Sequence, residues 1–229
     1  MASEERYPVG RMAANLLLLC TLGSLTSFSI WPKQDTWPAW SARDFQLVYS
    51  AGLFGAWSQP LGGVLYDVAG PRWTKFTGIC LVVVSFAALI ACTGIPDSSP
   101  WLVGALYFLE EQGAATLQVA VMCDGMKIFP ASRNGLTMGL CTLGYAASGL
   151  LWTFVFTNLH MQLRSIFMVV CASIILAVVP QFCTPVFEGY ATERSPSLAR
   201  YKKAFHSKQF LLLASLAVGV RAPAWAIIG

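Results

Sequence analysis

Charge is what this sequence has least of. Only 11% of its 229 residues are Asp, Glu, Lys or Arg, against roughly 25% in an ordinary soluble domain. A soluble globule of this size needs more charge than that to cover its surface, so the composition argues against a soluble enzyme. A disordered chain would be poor in apolar residues, whereas here they make up 56% and the mean hydropathy is +0.60. The net charge is only +4, and the basic residues do not interleave with aromatics along one face, which speaks against nucleic-acid binding. Catalytic patterns are lacking as well: there is no GxSxG, HExxH, P-loop or paired-histidine motif. None of the seven cysteines has CxxC spacing and most fall inside apolar runs. They read as small buried hydrophobes, not as a disulfide framework or a zinc site. The two histidines, His160 and His206, fall in polar connections. Neither a cofactor nor a metal is expected.

What is present is long apolar runs. A membrane-spanning helix needs ~20 mostly apolar residues, and six complete candidates occur, at 12–30, 45–65, 73–93, 101–123, 135–156 and 166–186. A seventh begins near Phe210 and is still apolar at Gly229. The expectation is therefore an all-α membrane protein in three parts: a six-helix bundle over 1–183, a charged linker over 184–208, and the truncated start of a second bundle over 209–229. Glu4 and Glu5 stand where a cleaved signal would carry basic residues, and further spans follow. Basic residues set the orientation. With the N-terminus inside, inside segments hold 11 Lys and Arg, while outside loops hold 3, namely Lys33, Arg43 and Arg164. The N-terminus and the 184–208 linker are thus expected in the cytoplasm, in a plasma or organelle membrane. Trp31, Trp37, Trp40, Trp73 and Trp101 cluster at span ends as an aromatic belt. In the linker, the run Arg200-Tyr201-Lys202-Lys203 reads either as a contact with anionic lipid heads or as a solvated flank.

The most specific signal lies between the second and third candidates, in Gly62-Gly63-Val64-Leu65-Tyr66-Asp67-Val68-Ala69-Gly70-Pro71-Arg72-Trp73-Thr74-Lys75. Gly63 is suited to close helix approach. Asp67 puts an acid at the membrane edge, where a base or a helix N-terminus can meet it. Gly70 can take a positive φ for a tight reversal, and Pro71 starts the next helix well. Arg72 and Lys75 anchor the loop inside. The spacing Gly63-xxx-Asp67-xx-Gly70-x-Arg72-xx-Lys75 resembles the signature loop of the major facilitator superfamily. The family pattern has a basic residue directly after the acid, where this sequence has Val68. The stretch Lys127-Ile128-Phe129-Pro130-Ala131-Ser132-Arg133-Asn134-Gly135, followed by Gly139, Gly144, Ser148 and Gly149, looks like the fourth-to-fifth loop and fifth helix of the nodulin-like branch. The resemblance implies the N-terminal half of a twelve-helix transporter working by alternating access. The Asp67 loop would then hold the cytoplasmic gate against the other half.

Ionisable groups at membrane depth are expensive and point to function. Glu110 and Glu111 fall near the middle of the fourth candidate, ~100° apart around the helix. Tyr107, Glu111, Ala114 and Gln118 follow helical spacing and share a face, the best candidate for lining a cavity. Glu111 there suits a proton, a cation or a basic group of a solute; the competing reading is structural pairing. The superfamily's frequent fourth-helix Arg is missing from this span. Asn15 and Gln59 are further polar candidates, Gln59 standing before Pro60 where freed backbone groups need partners. Arg221 falls in the partial seventh span beside Pro223, placed to counter a glutamate or to bind an anionic solute.

The sequence thus points to secondary transport of a small solute or ion, with Glu111, Gln118, Tyr107, Glu110 and Asn15 as solute contacts. Gly63, Asp67, Gly70, Arg72 and Lys75 form the gate. The expected partners are the solute, the lipid bilayer and the missing C-terminal half of the same protein. A non-transporting sensor or assembly partner of transporter-like fold is the alternative. A membrane-embedded enzyme is disfavoured by the lack of paired catalytic groups at one depth.

Overall fold

A computed structural model of the chain describes residues 6–22, 36–129 and 131–183. All of these lie in one compact unit, Met1–Glu188. The expected linker over 184–208 and seventh span over 209–229, with Arg221 and His206, lie outside the described residues, as does Trp31.

Every described element is helical. In chain order they are α1 (Arg6–Leu22), α2 (Ala42–Trp57), α3 (Gln59–Cys92), α4 (Pro100–Ile128), a short 3-10 turn at Ala131–Arg133, α5 (Asn134–Leu159) and α6 (Leu163–Cys183). Three stretches are long and apolar enough to cross a membrane: Ala42–Cys92, Asn134–Phe156 and Leu163–Phe182. The chain is therefore all-α in its described residues, with helices suited to a bilayer.

Local chemistry sets the boundaries. Asp44 accepts hydrogen bonds from Ser41 N at 2.9 Å and Ser41 Oγ at 2.7 Å, closing the start of α2. Ser58 breaks the helix before Pro60, which occupies the first turn of α3. Pro100 opens α4 in the same way. His160 ends α5 in a left-handed conformation at φ 47°, an orientation that completes many helix C-termini.

A straight helix of 34 residues would be about 51 Å long, well beyond the ~30 Å of a hydrocarbon core. Gly70 prevents this. It sits at φ 81°, ψ 172° inside α3, a conformation that only glycine adopts cheaply. The neighbours of α4 show what it does. Gly52 lies against Tyr107, Gly55 against Glu111 and Gly62 against Thr116, and Tyr66 bonds Asp124, so residues 42–69 run parallel to α4. After Gly70 the order inverts: Lys75 meets Asp124, Gly78 meets Leu117 and Val82 meets Gly113. Residues 71–92 therefore run back antiparallel to α4. The expected separation into candidates at 45–65 and 73–93 is realised as two legs hinged at Gly70, with α2 and α3 nearly continuous across Ser58.

The helices pair in a repeating pattern. The leg 42–69 packs on α4, and α1 packs on α5, with Leu16 at Gly144 and Trp152 Nε1 donating to Cys20 O at 2.9 Å. Both pairs run parallel. The leg 71–92 packs on α4 and α1 packs on α6. Across the middle, α1 meets α4 antiparallel through Arg11–Asp124 and Asn15–Val121. The leg 71–92 meets α6 antiparallel through Lys75–Gln181 and Phe86–Phe167. Exchanging the first three legs with the last three maps these pairings onto themselves.

Both legs approach α4 closely: a Cβ on Gly55 would run into Phe108 O. A Cβ on Gly113 would lie 2.8 Å from Leu81 Cβ and 2.9 Å from Gly78 O, and one on Gly78 would lie 3.0 Å from Gly113 O. Gly63 differs from its expected role. Nothing lies within 4 Å of where its Cβ would sit, and the close approach belongs to its neighbour Gly62, 2.9 Å from Thr116 Cα. The physical reason is the helix phase: one residue is a ~100° turn. Gly113→Ala is expected to lower stability by about 1–3 kcal/mol through overpacking, read as a lower melting temperature in detergent. Gly63→Ala is expected to leave that temperature unchanged.

Candidate functional site

Two clusters of polar groups lie inside this apolar bundle. The first is at the end where α1 begins and α4 finishes. Asp124 is the anion at its centre, 4% exposed, with Arg11 at 6% and Lys75 at 5%. Arg11 Nη2 lies 3.2 Å from Asp124 Oδ2, and Lys75 Nζ donates to the same oxygen. Tyr66 Oη donates to Asp124 Oδ1 at 3.1 Å. Lys127 Nζ reaches Tyr66 Oη at 3.0 Å and stands 4.7 Å from the centre of its ring. Lys75 also donates to Gln181 Oε1 at 2.9 Å. One carboxylate thus joins α1, both legs of the hinge at Gly70, and α4, with α6 held through Lys75. Each bond is charge-assisted or accepts from a buried hydroxyl, the strong class in a dry interior.

This cluster divides the loop motif. Gly70 takes the expected positive φ of 81°. Lys75 is buried and paired, whereas Asp67 and Arg72 are exposed. Of the two bases expected to anchor the loop inside, Arg72 is exposed, while Lys75 turns into the bundle because its leg starts directly beneath Asp124. Asp124, Tyr66 and Arg11 carry the cluster and were not singled out from the sequence. Asp124 falls one residue past the expected span at 101–123, where an acid looks like an ordinary flank. The available signal was topological: the Gly70 reversal brings Lys75 to the end where both Arg11 and Asp124 must lie.

The second cluster is at the middle of α4. Tyr107 Oη donates to Glu111 Oε1 at 3.0 Å. Gly52 lies under the Tyr107 ring and Gly55 under Glu111 Cβ, so the small residues of α2 make room for this pair. Further along the same face Gln118 Oε1 accepts from Gln59 Nε2 at 2.9 Å. The shared face of Tyr107, Glu111, Ala114 and Gln118 is present, and all four are buried.

Glu110 lies apart from that face. It is fully buried at 0% exposure. Neither of its carboxyl oxygens has a hydrogen-bond partner among the described residues. Such a group is costly and uncommon in a folded interior. Asn15 is also away from Glu111. It donates to Val121 O at 3.4 Å, close to Gly125, and so sits between the two clusters. Among the described residues no group of three His, Cys, Asp or Glu is placed to hold a metal ion.

No family model matches the chain, and no curated protein matches it.

Removing the central anion of the first cluster strands two buried cations. Asp124→Asn is expected to cost about 3–5 kcal/mol, seen as a large fall in melting temperature and loss of the monodisperse species in detergent. Asp67→Asn, on an exposed side chain, is expected to have a much smaller effect in the same measurement. For Glu110 the expectation is opposite in sign. Glu110→Leu removes an unsatisfied buried group whose penalty is about 1–3 kcal/mol, so the melting temperature should rise or hold.

Proposed function

We propose that the chain forms the N-terminal half of a secondary transporter of the major facilitator type, moving a small solute or ion across a membrane by alternating access. The observation that carries this reading is the exchange symmetry of the helix pairing. Two three-leg units, related so that α1 answers α4, run antiparallel to each other, as the nested inverted repeats of such transporters do. The motif residues fit the same reading. Gly70 makes the tight hairpin, Lys75 ties it to Asp124, and Asp67 and Arg72 are exposed on the side that would meet a second half. The excess of Lys and Arg in the loops supports a cytoplasmic side for this end.

In this reading Glu111 is the ion- or solute-contacting acid, presented by Tyr107, with Gln118 further along the same face. Glu110 and Asn15 do not share that face. A second reading is favoured by one observation: Tyr107 spends its hydroxyl on Glu111, and Gln118 pairs with Gln59. That suits a static polar seam in a non-transporting sensor or assembly partner.

Counterflow distinguishes the two. The polypeptide encoded by the full native transcript, reconstituted in vesicles loaded with a mixture of labelled small organic solutes and metal ions, is expected to give saturable exchange of one class. Glu111→Gln should lower the initial rate about tenfold or more, as loss of an interaction with a charged group implies. The 229-residue chain alone is expected to give none. Absence of flux from every form supports the non-transporting reading.

A further inference from the structure

A groove of about 830 Å³ runs along the outer side of α2 and α4, away from both polar clusters. Its walls are almost wholly apolar, from Phe54 on α2 to Leu109 on α4, over a floor that includes Gly104 and Ala105. The one cation on its rim is Arg43, in the first turn of α2. Trp101, 74% exposed, stands in the first turn of α4. Because α2 and α4 run parallel, Arg43 and Trp101 are at the same end.

We propose that this groove is a binding site for one membrane phospholipid, its phosphate on Arg43 and an acyl chain lying along α2 and α4. Three observations commit the site to that occupant. The first is charge complementarity confined to one end. Arg43 is exposed and is the one charged residue lining the groove, whereas its neighbour Asp44 bonds Ser41 N and Oγ and does not line it. The second is length. From Arg43 to Phe54 the helix rises about 16 Å, half of a ~30 Å hydrocarbon core, so the groove is one leaflet deep from headgroup level to midplane. The third is direction. Trp101, Ala105 and Leu109 project from α4 about 140° around the helix axis from Tyr107 and Glu111. Val121, which meets α1 through Asn15, lies on the far side again. The groove therefore opens out of the bundle, where lipid is the solvent. An exposed tryptophan beside an arginine is the chemistry that holds headgroups at an interface. The inference requires that these helices sit in a bilayer. It does not require that the chain transports, so it can fail or stand independently of the counterflow result.

The test is native mass spectrometry of the full chain in detergent, titrated with phosphatidylglycerol and with a diacylglycerol of the same acyl chains. The chain is expected to retain phosphatidylglycerol about fivefold more strongly than diacylglycerol. Arg43→Gln should remove that preference, while Arg164→Gln, an exposed base at the start of α6, should keep it. Ala105→Trp, which fills the floor of the groove, should reduce retention of both lipids. Should Ala105→Trp fail to fold, the two arginine variants decide the question. Equal phosphatidylglycerol retention by wild type and Arg43→Gln would overturn the proposal, as would an equal loss in Arg164→Gln. A dimer that Ala105→Trp breaks, in place of lipid adducts, would overturn it in favour of a second copy of the chain.

Discussion

The carboxylate of Asp124 is the interaction on which the rest of the described structure depends. Four helical legs end on it or start from it: α1 through Arg11, the leg 42–69 through Tyr66, the leg 71–92 through Lys75, and α4 itself. Apolar side chains between helices in a bilayer do not by themselves choose one arrangement, because lipid is as apolar as leucine. A single buried anion with two cations and a phenol does choose. Sliding or rotating α1, the leg 71–92 or α4 by one residue would leave a charge unpaired in a dry interior, at a cost of several kcal/mol. The cluster thus fixes the register of helices whose apolar surfaces would tolerate many registers.

Glycine supplies the complementary constraint at two places. Gly70 turns the chain back so that Tyr66 and Lys75, nine residues apart in sequence, reach the same carboxylate from two legs. The facing pair Gly78 and Gly113 lets the second leg approach α4 closely enough for this to happen. A polar anchor at one end and backbone contact in the middle define the pairing together. Dispersion contacts in the remaining core, such as Phe86 on Phe167 at 5.7 Å between ring centroids, then fill the space.

Much of this was legible in the sequence because it rested on local rules. Low charge and long apolar runs gave the all-α class. Glycine followed by proline at positions 70 and 71 gave the reversal, and the 3.6-residue period put Tyr107, Glu111 and Gln118 on one face. What was not legible depended on partners distant in the chain. Nothing local shows that Lys75 turns inward while Arg72 turns out, since that follows from where Asp124 lands. Gly62 and not Gly63 makes the close contact, a difference of one helical step that the pattern cannot resolve without the phase of α4. Helical spacing already set Glu111 apart from Glu110, but only the packing of α2 on α4 shows which acid is bonded and which is left without a partner among the described residues.

The pairing pattern also bears on how such a chain is made. Among the described residues, α1 takes α4, α5 and α6 as its neighbours, and both legs of the hinge at Gly70 pack mainly on α4. The ribosome therefore delivers roughly the first hundred residues before any of them meets its main partner. Until α4 emerges, Arg11 and Lys75 have no Asp124 to neutralise them, and the small-residue faces of α2 and α3 have nothing to close upon. Assembly must wait for a later helix to nucleate it. During that interval the early helices depend on the insertion machinery and the surrounding lipid to keep them from pairing wrongly.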